Sequence, residues 1–537
     1  MAEGLNCDVV VIGAGPNGLA AACYLQRAGL DVLVLERRPD GVVGGGATTE
    51  EVTLPGFRHN MGAIWMGGTL WTGVHKELEL KKYGVSYQYT DIAMSAVFED
   101  GTCIHWYHDL DRMCANIARF SRRDADTWRD LFMTYKDTAP MWAAAEEAVS
   151  GAAAVTPGAL FLSPLERSPA GRELIRLSMK PPSDLVNDFF EEPRLRNLLR
   201  QRISEGFTRP DDEPQLGNPF IMHLIMSHTV GRSFGLAQGG TGRVCEGMRK
   251  NFEDAGGRVL FDKHVESIET ASNVATGVVC QDGSRYAAKK GVVSDVTHVT
   301  TLLGMVGADK LEPRFARKVQ TWRWEEHSFH NTHWALDAPV VWKAADSDPD
   351  IQRCWSVAVL PLDVDAHWRQ CHEDNRAGRP PRSLGYYGTF PTVLDASQAP
   401  PGKHTGLAWK HVPYDLEDGG GARWDAIKEE YADRIEEFTG RFTNGDFRKS
   451  ILKRHVDSPL DIERRNPSFV KGSCCNGSTQ PHQVGYYRPF HEYPPGRCPV
   501  EKLYLAGDWV GVTGGAGRQT ASLMLDDLKV KKWWQKR

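Results

Sequence analysis

Three glycines, Gly13, Gly15 and Gly18, stand as G-x-G-x-x-G directly after the apolar run 9–12. Each has a separate task in binding phosphates. Gly13 permits a tight turn, Gly15 lets backbone approach a pyrophosphate without a Cβ, and Gly18 lets a helix pack on the preceding strand. Pro16 and Asn17 begin that helix, whose unpaired N–H groups and positive dipole end suit anionic oxygens. Glu36 closes the second apolar run (32–35), about 20 residues downstream, where a carboxylate accepts from ribose hydroxyls and disfavours a 2′-phosphate. Arg37 follows, beside the pyrophosphate or on the surface. Strand, turn, helix, strand and acid are in register, so this end is expected to bind a dinucleotide.

A second glycine loop, Gly44-Gly45-Gly46-Ala47-Thr48-Thr49, offers further backbone donors for the pyrophosphate or the ribityl chain. The far end of the chain carries a matching signal in LYLAGDWVGVTGGAGRQT, residues 503–520. A short apolar strand ends at Gly507-Asp508, which places the Asp508 carboxylate at the strand edge for a ribityl hydroxyl. Thr513-Gly514-Gly515-Ala516 then starts a helix whose N–H groups can face the N1/C2=O edge of a flavin and stabilise its reduced form. The two ends together narrow the cofactor to FAD, held across the whole fold.

Flavin chemistry on carbon asks the protein for orientation, exclusion of water and tuning, so no catalytic triad is expected. Arg58-His59-Asn60 follows the second glycine loop and is expected to reach the substrate chamber. His59 is the candidate base or orienting group, against the simpler reading of a structural histidine. Arg58 and Trp65 are expected in the pocket wall, and so is Trp334 from an aromatic-rich stretch. His327, His330 and His333 resemble a metal cluster only superficially. On a strand, His327 and His333 share a face and His330 points away, so no metal is expected.

These residues need elements to carry them. Residues 7–36 form a βαβ unit, and 234–298 return to it through a glycine turn at Gly239-Gly240, a helix ended by Gly256-Gly257, a strand over VLFDKHVESI, and a hairpin turning at Asp282-Gly283. Residues 75–150 carry mostly helical spacing, with Asp124 as an N-cap, and 184–226 are helical again. Residues 151–172 form a loop or lid. Residues 321–460 alternate strand-like runs with turns before a helix at 424–440, as an antiparallel sheet with flanking helices. The expected fold is α/β. Segments 1–70, 231–298 and 455–537 make a Rossmann-like FAD-binding domain, interleaved with an α+β substrate domain of 71–230 and 299–454 that includes a helical lid region.

Composition bounds the partners. The net charge of −5, without a basic tract, argues against nucleic acid. Eleven scattered cysteines without a C-x-x-C pair suit reduced thiols in a cytoplasmic protein, and Cys474-Cys475 are read as buried small hydrophobes. No signal peptide and no apolar run of about 18 residues is visible, so a membrane contact would be peripheral. Sixteen tryptophans suit large apolar contact surfaces, a greasy pocket among them.

In order, GAGPNGLAAACYLQRAGLDVLVLERR, GGGATTE, PGFRHN, QGGTGRVCEGM, IERRNPSFVKG and LYLAGDWVGVTGGAGRQTA resemble the phytoene desaturase-like flavoproteins. That group includes carotenoid desaturases, ketolases and isomerases and retinol saturase. The resemblance covers both termini and 234–295, and is looser through the pocket-forming regions. It implies non-covalent FAD in a fold similar to p-hydroxybenzoate hydroxylase and monoamine oxidase, with Val265 against the adenine and Gly239-Gly240 near the cofactor. The chain departs from the group in Gly507-Asp508, where Gly-Ala is common, and in the Met- and Trp-rich NMGAIWMGG. The expected activity is hydride removal from a hydrophobic organic substrate, a polyene such as a carotenoid or an aromatic or terpenoid metabolite, with oxygen or a quinone as acceptor. The competing readings are amine oxidase-like C–N oxidation, redox-neutral isomerisation on reduced FAD, and a non-catalytic lipid-binding protein of the same fold.

Overall fold

The apolar runs that flank the first glycine turn lie side by side in the computed structural model of the chain. It describes residues 6–64, 73–138, 169–177, 180–204, 224–225, 227–228, 235–325, 327–473, 475–478, 480–483, 487–507 and 514–535. Strand Asn6–Ile12 runs parallel to Val32–Leu35 on one side and to Arg285–Ser294 on the other. Arg258–Leu260 extends the sheet beyond Val32–Leu35, and Leu503–Leu505 pairs in parallel with the end of Arg285–Ser294. Strands covered on both faces read as unbroken Val/Leu/Ile runs, which is why VVVI and VLVL are visible in the sequence.

Arg285–Ser294 is long enough to serve two layers. Its first residues join the antiparallel pair Val265–Ala271 and Val274–Cys280, and its last residues lie in the parallel sheet. The stretch VLFDKHVESI is two strands, not one: the chain turns at Asp262, whose φ is +55°, and the second piece crosses to the other side of the sheet. Helices Pro16–Arg27, Gly242–Asp254 and Gly515–Asp527 pack in one apolar cluster on one face. A π-helical segment, Thr300–Gly307, belongs to the cluster on the opposite face. A Cβ on Gly517 would overlap the Asn17 carbonyl, so the first and last helices cross at backbone contact.

The second sheet has the order Ile451–Asp457, Ser328–Leu336, His404–Val412, Tyr386–Thr389, Ser356–Val359, Ile92–Val97, Cys103–Tyr107. Its pairings are antiparallel except for Ser356–Val359 with Ile92–Val97. Helix Trp424–Gly440 covers one face, at the bounds expected. The helical expectation for 75–150 fails at Ile92–Val97 and Cys103–Tyr107. Every residue of both strands is buried, Ser95 and His105 included, and a continuously buried run has no period that separates strand from helix. Asp124 does not cap its own helix either. Ser121 is the N-cap of Arg122–Tyr135, and the buried Asp124 carboxylate accepts from the Glu191 and Glu192 N–H groups. The division drawn at residue 455 falls inside the strand Ile451–Asp457, which pairs wholly within the second sheet. Most of the loop 151–172 lies outside the described residues; its end begins the helix Pro169–Leu177.

Candidate active site

The cradle at the first glycine turn is made of backbone. Gly13, at φ +91°, swings the chain from strand to helix while its N–H bonds the Leu35 carbonyl at 2.9 Å. Gly15 is the N-cap of the helix and Pro16 its first residue. A Cβ on Gly15 would collide with the carboxylate of Asp295, which follows strand Arg285–Ser294. Asp295 was not singled out from the sequence, and it gives Gly15 a reason beyond access for a pyrophosphate. Gly18 packs against the Gly13 carbonyl.

Glu36 does more than the sequence suggested. Its Oε2 accepts from Ala14 N at 2.9 Å and its Oε1 from Arg38 N at 3.0 Å, so the carboxylate braces both turns. A carboxylate has about four acceptor sites, which leaves capacity for ribose hydroxyls. The chain at 262–263 is pinned to the same place, with Lys263 N on the Glu36 carbonyl at 2.9 Å. Val265, buried two residues later, therefore lies at the Glu36 end of the cradle. Arg37 donates to the Arg465 carbonyl, and burial holds its guanidinium below its usual value.

The second glycine loop lies back to back with the first. Gly44 N bonds Ala14 O at 2.9 Å, and a Cβ on Gly45 would stand 3.3 Å from the Gly15 Cα. Gly46 sits under the Phe469 ring and its carbonyl accepts from Ala63 N at 2.8 Å. Ala47 and Thr48 are buried behind it, and Thr48 O accepts from Met61 N at 3.0 Å. Asn60 Oδ1 then takes Thr49 Oγ1 at 2.8 Å and Thr241 N at 3.0 Å, which ties the Gly239-Gly240 turn to this ribbon. At the other end Asn17 Oδ1 accepts from Gly514 N at 2.9 Å, joining the first turn to Gly514, Gly515 and Ala516. Gly507 packs against the backbone at 295–296. Asp508 and Thr513 lie outside the described residues, as do Trp65 and Cys474. Glycine Cα edges, free helix N-terminal N–H groups and a carboxylate at the strand end fit the pyrophosphate and ribose of FAD.

On the second sheet, strand parity decides which side chains share the face that meets His59. His333 meets His59 edge-on at 5.3 Å, and His59 Nε2 bonds Thr53 Oγ1 at 2.8 Å. His333 is followed by His455 at 6.1 Å, whose Nε2 bonds Asp457 at 2.9 Å. Arg465 donates to Asp457 at 2.9 Å and lies 3.7 Å from Glu50, which is paired at 2.9 Å with Arg38. Burial holds the His59 imidazole well below its ordinary value and brings His333 to about 3, so both are neutral at neutral pH. Burial pushes the Asp457 carboxyl up, but the His455 bond and the Arg465 charge outweigh it and leave it below the usual range.

Two expected pocket residues are elsewhere. Trp334 neighbours His333 and so points to the opposite face, where its indole is fully buried, donates to Glu436 at 3.1 Å and meets Phe447 edge-on. Arg58 bonds Gln398 O through its backbone, and its guanidinium lies 4.0 Å from Glu51 toward the surface. The wall on the His333 face is built instead by Phe329, 4.2 Å from Trp409, and by Tyr387 at 6.2 Å from Trp409. His327 joins that side against His411 at 4.5 Å, while His330 points away to the Lys428 carbonyl, as strand parity required.

Glu325 also went unread in the sequence. Its carboxyl accepts from the Ser473 hydroxyl, Cys475 N at 2.8 Å and Gly477 N at 3.2 Å, and burial pushes it up to about 7. The turn it gathers carries Asn476, whose side chain donates to the Gly507 carbonyl. Glu325 thus shapes the approach to the strand end before Asp508. The ten described cysteines are buried and form no disulfides among themselves, and burial pushes the Cys103 thiol up to about 12.

Comparison with known proteins places this architecture. The family described as flavin containing amine oxidoreductase matches residues 17–334. A limonene dehydrogenase component from Castellaniella defragrans is 29% identical, with 99% of this chain and 97% of that protein covered. A lycopene-forming phytoene desaturase of Pantoea ananas is 26% identical, covering 96% of this chain and 99% of its own. A putrescine oxidase variant superposes with a TM-score of 0.61 at 17% identity, covering 98% of this chain and all of the other, and shows the fold alone.

Proposed function

Because the chain belongs to the flavin-containing amine oxidoreductase family, we propose that it is an FAD-dependent dehydrogenase that takes a hydride from carbon of a hydrophobic organic substrate, a terpenoid or polyene. That it is an FAD-dependent oxidoreductase follows from the family. The substrate class is carried by the character of the sheet face that His333 shares with Phe329 and Trp409. It presents aromatic rings and neutral imidazoles, and its carboxylate Asp457 is engaged by His455 and Arg465. An amine would meet no open carboxylate there among the described residues. The near full-length relatives named for limonene and phytoene point the same way, whereas the likeness to putrescine oxidase is of fold only.

Bound FAD supplies the hydride acceptor. The glycine loops and Glu36 would hold its nucleotide end, and the N-terminal N–H groups of the helix at Gly515 would favour negative charge on the ring. His59 is a positioning residue in this reading: pinned by Thr53 and stacked edge-on with His333, it fixes the floor of the chamber as a neutral ring. Phe329, Trp409 and Tyr387 exclude water and orient the carbon skeleton. Reoxidation is by oxygen or a quinone. Among the described residues no helix is long and apolar enough to cross a membrane. FAD is held without a covalent link, so acid precipitation is expected to leave the flavin in the supernatant.

The test is an anaerobic titration of the yellow holoenzyme. Bleaching of the flavin bands by limonene or phytoene, and not by putrescine or cyclohexylamine, supports the reading. Bleaching by the amines alone would replace it with C–N oxidation.

A further inference from the structure

Helices Pro193–Ser204 and Val364–Arg376 and strand His404–Val412 line one cavity of about 50 Å³ that opens to the outside. Trp409 and Trp368 give it apolar walls, and Ser204, His327, His411 and Lys410 give it a polar end. Lys410 is 3% exposed. Its Nζ donates to the Gly385 carbonyl at 2.7 Å and approaches the Cys371 Sγ at 3.3 Å, a weak acceptor. Among the described residues no carboxylate forms an ion pair with it. The acids nearby in the sequence of the helix are taken: Asp374 is held by Arg379 and Arg382, and Asp365 pairs with Arg200. Arg200 is itself buried, and Asp365 at 3.0 Å meets its charge. The field is felt by His367: burial first, then the charges of Lys410 and Arg200, hold its imidazole well below its ordinary value.

A buried cation with a carbonyl and a thiol for company is unfavourable unless a further group completes it. One of its three N–H donors has no partner among the described residues. We propose that this cavity is an acid-recognition subsite, in which Lys410 supplies the counter-charge for the carboxylate end of an otherwise hydrophobic substrate whose apolar body extends out of the cavity past Trp409 and Trp368. It rests on the substrate chamber assigned above, since Trp409 and His411 are common to both. It narrows the substrate from a plain hydrocarbon to an amphipathic organic acid, and it opposes binding of amines.

Two probes of one carbon chain, decanoate and decan-1-ol, separate charge from greasiness. Their dissociation constants for the FAD-loaded enzyme are read at neutral pH by tryptophan fluorescence, without turnover. Decanoate is expected to bind at least about tenfold more tightly than decanol. Lys410→Gln keeps a donor for Gly385 and loses the charge, so it should abolish the preference and leave decanol within about twofold. Lys410→Met is the second variant, and it should behave alike if the charge is what matters. Equal affinities in the wild type, failure of both probes to bind, or a preference that survives Lys410→Gln would each overturn the subsite. The readout is equilibrium binding, so its failure leaves the dehydrogenase reading standing. Failure of hydrocarbons and organic acids to bleach the flavin would strike that reading instead.

Discussion

The two halves of the molecule make their sites from different materials. Around the first sheet the site is backbone: Gly13, Gly15, Gly45 and Gly514 bring main chain to main chain, and side chains such as Glu36 and Asn17 serve mainly to bond N–H groups of the turns. Around the second sheet it is side chain: Phe329, Trp409, His333 and Lys410 set shape and charge, and the backbone under them is ordinary sheet. A backbone site tolerates almost no added atom but makes few demands on chemistry. A side-chain site tolerates substitution of the wall but changes what it admits. One half is therefore suited to holding a fixed cofactor and the other to selecting a substrate.

Substitutions can break that contrast. The largest effect is expected at the crossing of the first and last helices. Gly517→Val would drive atoms into the Asn17 backbone, costing about 3 kcal/mol and emptying the cradle of flavin, as read by urea denaturation and the flavin-to-protein ratio. Glu36→Ala leaves the Ala14 and Arg38 N–H groups without their acceptor, and a loss of about 2.5 kcal/mol is expected together with weaker FAD retention on dialysis.

Glu325 lies at the junction of the two halves and carries a pH signature. Burial raises its carboxyl from 4.5 to about 7 in the folded chain, so the native state binds this proton more tightly than the unfolded state. Its contribution is full below pH 4.5 and declines as pH rises toward 7, by about 2 kcal/mol after allowance for partial solvent access. Denaturation midpoints at pH 5 and pH 8 should show the decline, and Glu325→Gln should flatten it. An unchanged slope in that variant would remove Glu325 from the account. The smallest effect is expected at Trp334. Trp334→Phe gives up the bond to Glu436 and costs about 1 kcal/mol, with no change in KM for any substrate. A raised KM would return this ring to the pocket wall.

The same contrast explains what the sequence reveals. Gly13 and Gly45 are legible because their positive φ favours glycine, Gly15 and Gly18 because a Cβ would meet Asp295 and the Gly13 carbonyl, and Glu36 because its place is fixed by the strand before it. Even so, Asp295 behind Gly15 carries no signal of its own, and Asn60 reads as part of the chamber segment rather than as the acceptor for Thr241, since each acts through a partner more than 180 residues away. In the second sheet, residue type misleads. Trp334 and His333 are neighbours with equal claims on a pocket, and only the pairing with helix Trp424–Gly440 decides which is core. Lys410 reads as a surface lysine between Trp409 and His411 until the helix Val364–Arg376 is laid over it. The strands Ile92–Val97 and Cys103–Tyr107 were hidden for a related reason: full burial erases the alternation that marks a strand.

The central claim is hydride transfer from carbon of a hydrophobic substrate to FAD held by the glycine cradle. Its most direct test is one anaerobic turnover of the holoenzyme with a terpenoid or polyene, with flavin absorbance and product mass followed together. Bleached flavin and an equimolar product two hydrogens lighter, its carbon skeleton intact, is the predicted result. Unchanged flavin bands with every such substrate, or a product of unchanged mass, would contradict it.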